Sequence, residues 1–107
     1  MAVQVPYWTM QIKRGVDFGA TLTFASDGVL FSFDSASVII NPQSGGQVEW
    51  TTGNGKFTNT GTGIYVIQVE STETATYAWN FANWRLDVVR GGEPNPSFMS
   101  GKVYVVN

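Results

Sequence analysis

The sequence contains neither cysteine nor histidine, and the two absences exclude several kinds of chemistry. Without cysteine there is no disulfide framework and no indication of the redox compartment. Histidine is the commonest general base and metal ligand, and cysteine is a common nucleophile. Serine–histidine–aspartate and cysteine–histidine catalytic groups are therefore excluded within this chain, and a structural zinc site is not expected.

Charge is also scarce, at 13% of the residues, which is about half the usual share. Six basic and eight acidic residues give a net charge of -2, so no strong positive field attracts phosphate groups. We therefore expect no nucleic-acid partner. No apolar run approaches the roughly 18 residues that span a bilayer, and residues 1–7 do not resemble a signal peptide. We expect no membrane contact, and synthesis in a cytoplasm.

Apolar residues are plentiful, at 43% of a chain of 107 residues, which suits one hydrophobic core. We expect a single domain covering residues 1–107. Apolar and polar residues alternate with period two in Trp8–Arg14, Phe18–Phe24 and Trp84–Val89, which is typical of strands with one buried face. Shorter strands are predicted at 29–33 (strand or loop), 37–40, 47–51, 64–69 and 99–106.

Turn signals recur at a spacing of about ten residues, as at Asp27-Gly28 and Asn54-Gly55. Seven or eight short strands at this spacing predict an all-β fold, namely a single antiparallel, Ig-like β-sandwich. The stretch Glu70–Ala78 is long enough for only one helical turn. We expect Gly91–Pro96 to be a polar connector.

Candidate reactive groups are few. The eight carboxylates lie mostly next to turns or on predicted solvent faces, so we expect a solvated surface and not a catalytic pair. Gly53–Lys56 resembles the end of a phosphate loop, but Phe57 replaces its serine or threonine and Trp50 its first glycine. Asp27 and Asp34 lack the neighbouring oxygen ligands that calcium needs. We expect no catalytic, cofactor-binding or metal-binding residues.

Aromatic residues make up 14% of the chain and include four tryptophans, which leaves two interpretations open. In a carbohydrate-binding module, Trp50, Trp79 and Trp84 would form an exposed row, with Asn80 and Asn83 binding sugar hydroxyls. The second interpretation places these and other rings in the core or in a protein interface.

The second interpretation is favoured by alternation, which puts Phe18, Phe24 and Trp84 on buried faces. Trp8 follows the same pattern. The stretch Tyr77–Asn83 is irregular and is expected to cap the core or to form an interface. The terminal strands, 7–13 and 99–106, offer edges for pairing with a neighbour. The candidate protein-contact residues are Tyr7, Trp8, Tyr77, Trp79, Phe81, Glu93, Asn95 and Tyr104.

Several segments together resemble the small β-sandwich structural proteins of tailed bacteriophages. The likeness covers roughly residues 12–106 and is weakest at 31–33 and 41–57. The segments that carry it are Ile12–Phe18, Thr21–Phe24, Gly63–Ile67, Ser71–Ala75, Trp84–Val89 and Ser100–Val106.

The resemblance implies a non-catalytic structural component of a tailed-phage virion, in the tail, baseplate or fibre attachment. Its partners would be other virion proteins in a multi-copy, symmetric assembly formed in the host cytoplasm, with no small-molecule substrate. A head decoration protein on the capsid exterior is the alternative within this class. A carbohydrate-binding module for host-surface recognition is the alternative from another class.

Overall fold

A computed structural model describes residues 8–107, and most of them lie in β-strands. The predicted all-β class is confirmed. The only helix in this range is a single turn, so no helix there is long enough to cross a membrane. In chain order the elements are β1 (Met10–Lys13), β2 (Phe18–Thr23), β3 (Ala25–Ser26), β4 (Val29–Leu30), β5 (Ser35–Pro42), β6 (Val48–Thr51), β7 (Phe57–Gly61), β8 (Ile64–Val69), α1 (Ser71–Thr74), β9 (Phe81–Arg90) and β10 (Glu93–Val106).

The strands form a five-stranded sheet, a three-stranded sheet and a small hairpin. Their orders are β1-β10-β9-β5-β6, β2-β8-β7 and β3-β4. The pair β1–β10 is parallel, with Met10 opposite Val103 and Lys13 opposite Val106. The five-stranded sheet is therefore mixed, which corrects the predicted antiparallel arrangement at this one pair. A parallel pair needs a long crossover, and here the chain between β1 and β10 supplies it.

Two element predictions also need correction. The strand β7 was not predicted, because Phe57 is its only large apolar residue and no alternation marks it. The segment Gly91–Pro96 is not a connector throughout: the turn is confined to Gly91 and Gly92, whose φ angles are 61° and 79°. Glu93 already pairs with Arg90 at the start of β10. The predicted helical turn is confirmed as α1.

One hydrophobic cluster contains inward-facing residues from both larger sheets. The rings of Phe18 in β2 and Trp50 in β6 lie 5.8 Å apart, and those of Phe57 and Tyr65 stack at 5.0 Å. Burying a large apolar side chain stabilises the fold by roughly 1.5–3 kcal/mol. Most of the aromatic content is thus used in the core. Further aromatic members of the cluster are Phe24, Phe33, Tyr77, Trp79 and Trp84.

Long-range hydrogen bonds hold the segment after α1 against the start of the chain. Arg14 donates from Nε to the carbonyl of Tyr77 at 2.7 Å and from Nη2 to that of Trp79 at 3.1 Å. Thr74 is fully buried, and its Oγ1 accepts from the backbone N–H of Gly15 at 3.1 Å. These bonds satisfy backbone groups that no strand pairs, so the segment lies in a fixed position although it has no regular structure.

Candidate protein-contact surface

Of the predicted contact residues, two are buried, two (Trp8 and Phe81) are half-buried, and one lies outside the described residues. The residue outside the described range is Tyr7. Tyr77 and Trp79 are 4% and 7% exposed, and their rings stack on each other at 5.1 Å. They fill the core and offer almost no surface to a partner, which corrects their selection as contact residues. Trp8 is half-buried, and its carbonyl accepts a hydrogen bond from Trp84 Nε1 at 2.7 Å.

Phe81 and the three exposed candidates lie on β9 and β10 but at opposite ends of that pair. Phe81 is opposite Tyr104, whereas Glu93 is opposite Arg90. Nine residues along a strand correspond to roughly 30 Å. Glu93 and Asn95 are both exposed. The candidates therefore mark two separate regions of one long ribbon, and a small ligand would not reach both.

At the first of these ends, two aromatic rings meet on the outer face of the five-stranded sheet. Phe81 and Tyr104 lie 5.4 Å apart, and Tyr104 is 42% exposed. Lys102 Nζ lies 5.6 Å from the centre of the Phe81 ring, within cation–π range. Asn83 is exposed and pairs opposite Lys102. We call these four residues the β9–β10 patch.

The β9–β10 patch has the chemistry of a protein-contact surface. Aromatic residues are enriched in interfaces because they bury a large area at little cost in conformational entropy, and a polar rim excludes water around them. Lys102 was not among the predicted contact residues. Lys102 could have been selected from the sequence, because it lies two residues before Tyr104 in the last strand and alternate residues of a strand share a face.

At the second end, a shallow groove of about 230 Å³ is lined in part by Asn95, whereas Glu93 does not line it. A half-buried Arg85–Asp87 pair (3.1 Å) lies in the same part of the sheet, and Asp87 also accepts from the backbone N–H of Ser97 at 2.9 Å. Ser97 has a positive φ of 56°, and the bond fixes the irregular pairing between β9 and β10 there. The carboxylate thus has a structural role. The groove lining includes Ser35, Ser37, Val89, Pro94 and Pro96.

The proposed sugar-stacking row does not exist on the surface. Trp50, Trp79 and Trp84 are 0%, 7% and 2% exposed. Trp50 lies on the inward face of β6 and donates from Nε1 to the Tyr77 hydroxyl at 3.1 Å. A sugar ring cannot stack on a buried indole, so this set of three residues is wrong as a carbohydrate site.

A polar chain connects Trp50 to the solvent. The Tyr77 hydroxyl accepts from Trp50 Nε1 and donates to the Glu73 carboxylate, which also pairs with Lys56. Lys56 and Glu73 line an open groove of about 440 Å³ together with Asn54 and other polar residues. Within residues 8–107, no group of three or more potential metal ligands is close enough to hold an ion.

Burial and hydrogen bonding set the protonation states of Glu73 and Tyr77. Burial by itself would raise the pKa of Glu73, but the hydrogen bonds from Lys56 and Tyr77 and the lysine charge outweigh it, so the pKa is lowered. Burial, and then the bond to Glu73, raise the pKa of Tyr77. Near neutral pH the carboxylate is ionised and the phenol protonated. This arrangement stabilises the segment after α1 and leaves neither group poised to exchange a proton.

Comparison with known proteins provides a likeness at the level of the fold. No family model matches the chain, and no curated protein matches it. Among solved structures, an endo-β-1,4-mannanase from Thermotoga petrophila is similar, with a TM-score of 0.55 and 19% identity. The match covers 92% of this chain but only 17% of the mannanase chain. The similarity therefore concerns a β-rich fragment of a much longer enzyme.

Proposed function

We propose that the chain is a non-catalytic structural component of a tailed-phage virion, placed in the tail, baseplate or fibre attachment. The observation that carries the proposal is the β9–β10 patch, where the exposed ring of Tyr104 meets the half-buried ring of Phe81, on a chain with only 13% charged residues. Such a surface suits permanent contacts, since apolar and aromatic groups are removed from water without the cost of desolvating many charges.

The segments that resemble phage structural proteins support the same proposal through their positions. Trp84–Val89 lies in β9 and Ser100–Val106 in β10, the two strands that carry the patch. Gly63 precedes β8 with a φ of 74°, and a Cβ there would lie 2.6 Å from the Phe24 carbonyl oxygen. The glycine is thus needed for packing. These segments support the fold expected from the resemblance.

We also infer that the five-stranded and three-stranded sheets act as the two layers of an Ig-like sandwich, with the parallel pair β1–β10 as a departure from the usual pattern. Contacts between the layers, such as Phe18 with Trp50, support this view. A sandwich is a rigid scaffold that can present the same outer face in every copy of a symmetric assembly.

The patch is tested by changing its most exposed residues and following incorporation into particles. We expect Tyr104→Ala combined with Lys102→Glu to reduce the copies per virion several-fold, since a central tyrosine in an interface often contributes about 2 kcal/mol or more. Thr58→Ala, an exposed substitution on β7, is the matched control. Both proteins must give the circular dichroism spectrum of the unmodified chain. Unchanged incorporation of the double variant would refute the role of the patch.

A carbohydrate-binding module for host-surface recognition remains the alternative from another class, and one observation favours it. Tyr104 is an exposed ring near the exposed amide of Asn83. The test is calorimetric titration of the isolated chain with soluble polysaccharides and with host-surface glycans. Our proposal predicts no binding. Binding that Tyr104→Ala abolishes, in a variant that remains folded, would replace it with the carbohydrate-binding function.

Head decoration is the alternative within the virion class. It uses the same kind of protein contact but places the chain on the capsid exterior. Labelling of virions with an antibody to the chain distinguishes the two, since our proposal predicts label on tails and the alternative predicts label on heads.

A further inference from the structure

The strand β2 lies at an edge of the three-stranded sheet, and within residues 8–107 no other strand pairs with its outward backbone groups. Across the β2–β8 pair, the N–H of Phe24 donates to the carbonyl of Gly63 at 2.8 Å. Backbone groups in an antiparallel pair point alternately towards the partner and away from it. Gly19, Thr21 and Thr23 therefore point away from β8, and all three are exposed.

The edge at β2 also lacks the features that usually prevent pairing with another chain. Natural edge strands carry charges, prolines or bulges. Among the larger sheets within residues 8–107, β1 has Lys13, β6 has Glu49, and β7 pairs irregularly between Asn59 and Gly61. β2 reads FGATLT, with no charge and no proline, and pairs with β8 in an unbroken register.

A second, independent feature of β2 is an incompletely covered row of apolar side chains. Its inward-facing residues, Phe18, Ala20 and Leu22, are all only half-buried. The edge strand β1 is better covered, since its inward-facing Met10 and Ile12 are 1% and 0% exposed, and in β6 Val48 is half-buried but Trp50 is 0% exposed. One added strand would pair with the free backbone groups and cover this row at the same time.

We propose that β2 pairs antiparallel with β2 of a second copy of this chain, across a two-fold axis at Thr21. In this register Gly19 lies opposite Thr23, and the outward backbone groups form about six hydrogen bonds. The inward residues are complementary in size, because Ala20 lies opposite Leu22 of the other copy.

In this register no two like charges face each other across the two copies. A second copy therefore suits this edge. The strand is uncharged, and Asp17, just before it, falls opposite Ala25 of the other copy. The net charge of -2 adds little repulsion. Six residues a side form a smaller contact than the roughly 800 Å² per partner of a stable complex. We therefore expect a dissociation constant on the order of 100 μM for the isolated chain.

This pairing goes beyond the proposed function and does not depend on it. It would add a contact between copies at a position remote in sequence from the β9–β10 patch. High local concentration in an assembly would strengthen such a weak contact.

Sedimentation velocity between about 5 μM and about 1 mM tests the pairing, because this range brackets the expected dissociation constant. We expect the unmodified chain to change from monomer to dimer. Thr21→Lys brings two like charges together at the axis and should keep the chain monomeric. The matched control, Thr58→Lys, puts the same charge on an exposed residue of the same sheet and should dimerise like the unmodified chain.

A charge swap completes the test. We expect Thr21→Lys and Thr21→Glu each to be monomeric and their equimolar mixture to dimerise. In the unmodified chain, amide exchange at Gly19 and Thr23 should slow several-fold as concentration rises, which needs no variant. A monomer at the highest concentration, or a Thr21→Lys variant that dimerises normally, would overturn the pairing. Neither result affects the virion proposal, which particle composition tests.

Discussion

Replacing Gly101 with alanine should disrupt the attachment of Trp8 to the core. A Cβ at position 101 would lie 1.8 Å from the Trp8 carbonyl oxygen and 2.6 Å from Trp84 Nε1. Both distances are far inside van der Waals contact, so the backbone at Trp8 must move away. That movement breaks the 2.7 Å hydrogen bond from Trp84 Nε1 to Trp8 and separates two rings that meet edge to face at 6.0 Å.

The expected loss of stability follows from these two contacts. Trp84 is only 2% exposed, so its indole N–H loses its partner in a nearly dry environment. An unsatisfied buried donor costs about 1–3 kcal/mol, and an edge-to-face aromatic pair contributes about 0.5–1.5 kcal/mol. We therefore expect Gly101→Ala to lower the free energy of unfolding by about 2–4 kcal/mol.

Equilibrium urea unfolding followed by tryptophan fluorescence measures this loss. Gly46→Ala is the matched control, because Gly46 is exposed, has no neighbouring atom within 4 Å and has no positive φ. It should change stability by less than about 0.5 kcal/mol. A Gly101→Ala variant that is as stable as the control and keeps the unmodified emission spectrum would refute the reasoning.

A double-mutant cycle identifies the cause. In a Trp84→Phe background the indole donor is already gone, so Gly101→Ala should cost at least about 1 kcal/mol less than it does alone. Equal costs in the two backgrounds would show that the loss comes from the clash with the backbone and not from the hydrogen bond.

Three further predictions concern the polar groups around α1. Tyr77→Phe leaves Nε1 of the fully buried Trp50 without its acceptor, so we expect the free energy of unfolding in urea to fall by about 1–3 kcal/mol. An unchanged free energy of unfolding would contradict this hydrogen bond. Thr74→Val removes the acceptor of the Gly15 N–H and should lower the free energy of unfolding by about 1–3 kcal/mol. Thr74→Ser keeps the hydroxyl and should keep most of the stability. Equal losses in the two variants would refute the role of the hydroxyl. The pKa of Glu73 is lower in the folded chain than its ordinary value of 4.5, so its stabilising contribution is present above pH 4.5 and is lost as the pH falls through the folded pKa. Glu73→Gln should therefore show a smaller decrease in melting temperature than the unmodified chain on acidification from about pH 6 to about pH 3, and parallel decreases would contradict the lowered pKa.

Local alternation predicted most of the strands. Trp84–Val89 lies within β9, and the buried positions of Phe24 and Trp84 follow from the period-two pattern. That pattern is reliable because it depends only on which residues face the core. It failed at β7, where Phe57 alone is large and apolar.

Features that depend on distant contacts were not predicted. The parallel pairing of β1 with β10 joins the two ends of the described chain, and no local pattern indicates strand direction. The stretch Tyr77–Asn83 was expected to cap the core or to form an interface, and the choice between the two for Tyr77 and Trp79 depends on packing with distant parts of the chain, such as Arg14, which binds both of their carbonyls. The burial of Trp50 had a local signal, since it alternates with Glu49, but its aromatic chemistry favoured the sugar interpretation.

The candidate contact surface was predicted in part. Phe81 and Tyr104 were both selected, but their pairing across β9 and β10 required the register of the sheet. The edge at β2 was not selected from the sequence at all. Its uncharged sequence was visible, yet only the strand order shows that no strand of the described chain covers it.

The proposed function is tested most directly by the composition and structure of purified phage particles, since it requires that the gene for the chain belong to a tailed phage. Quantitative mass spectrometry should find several copies of the chain per particle, and cryo-electron microscopy should show its β-domain in the tail or baseplate, with the β9–β10 patch covered by a neighbouring protein. Particles that lack the chain, or that hold it with the patch open to solvent, would contradict the account.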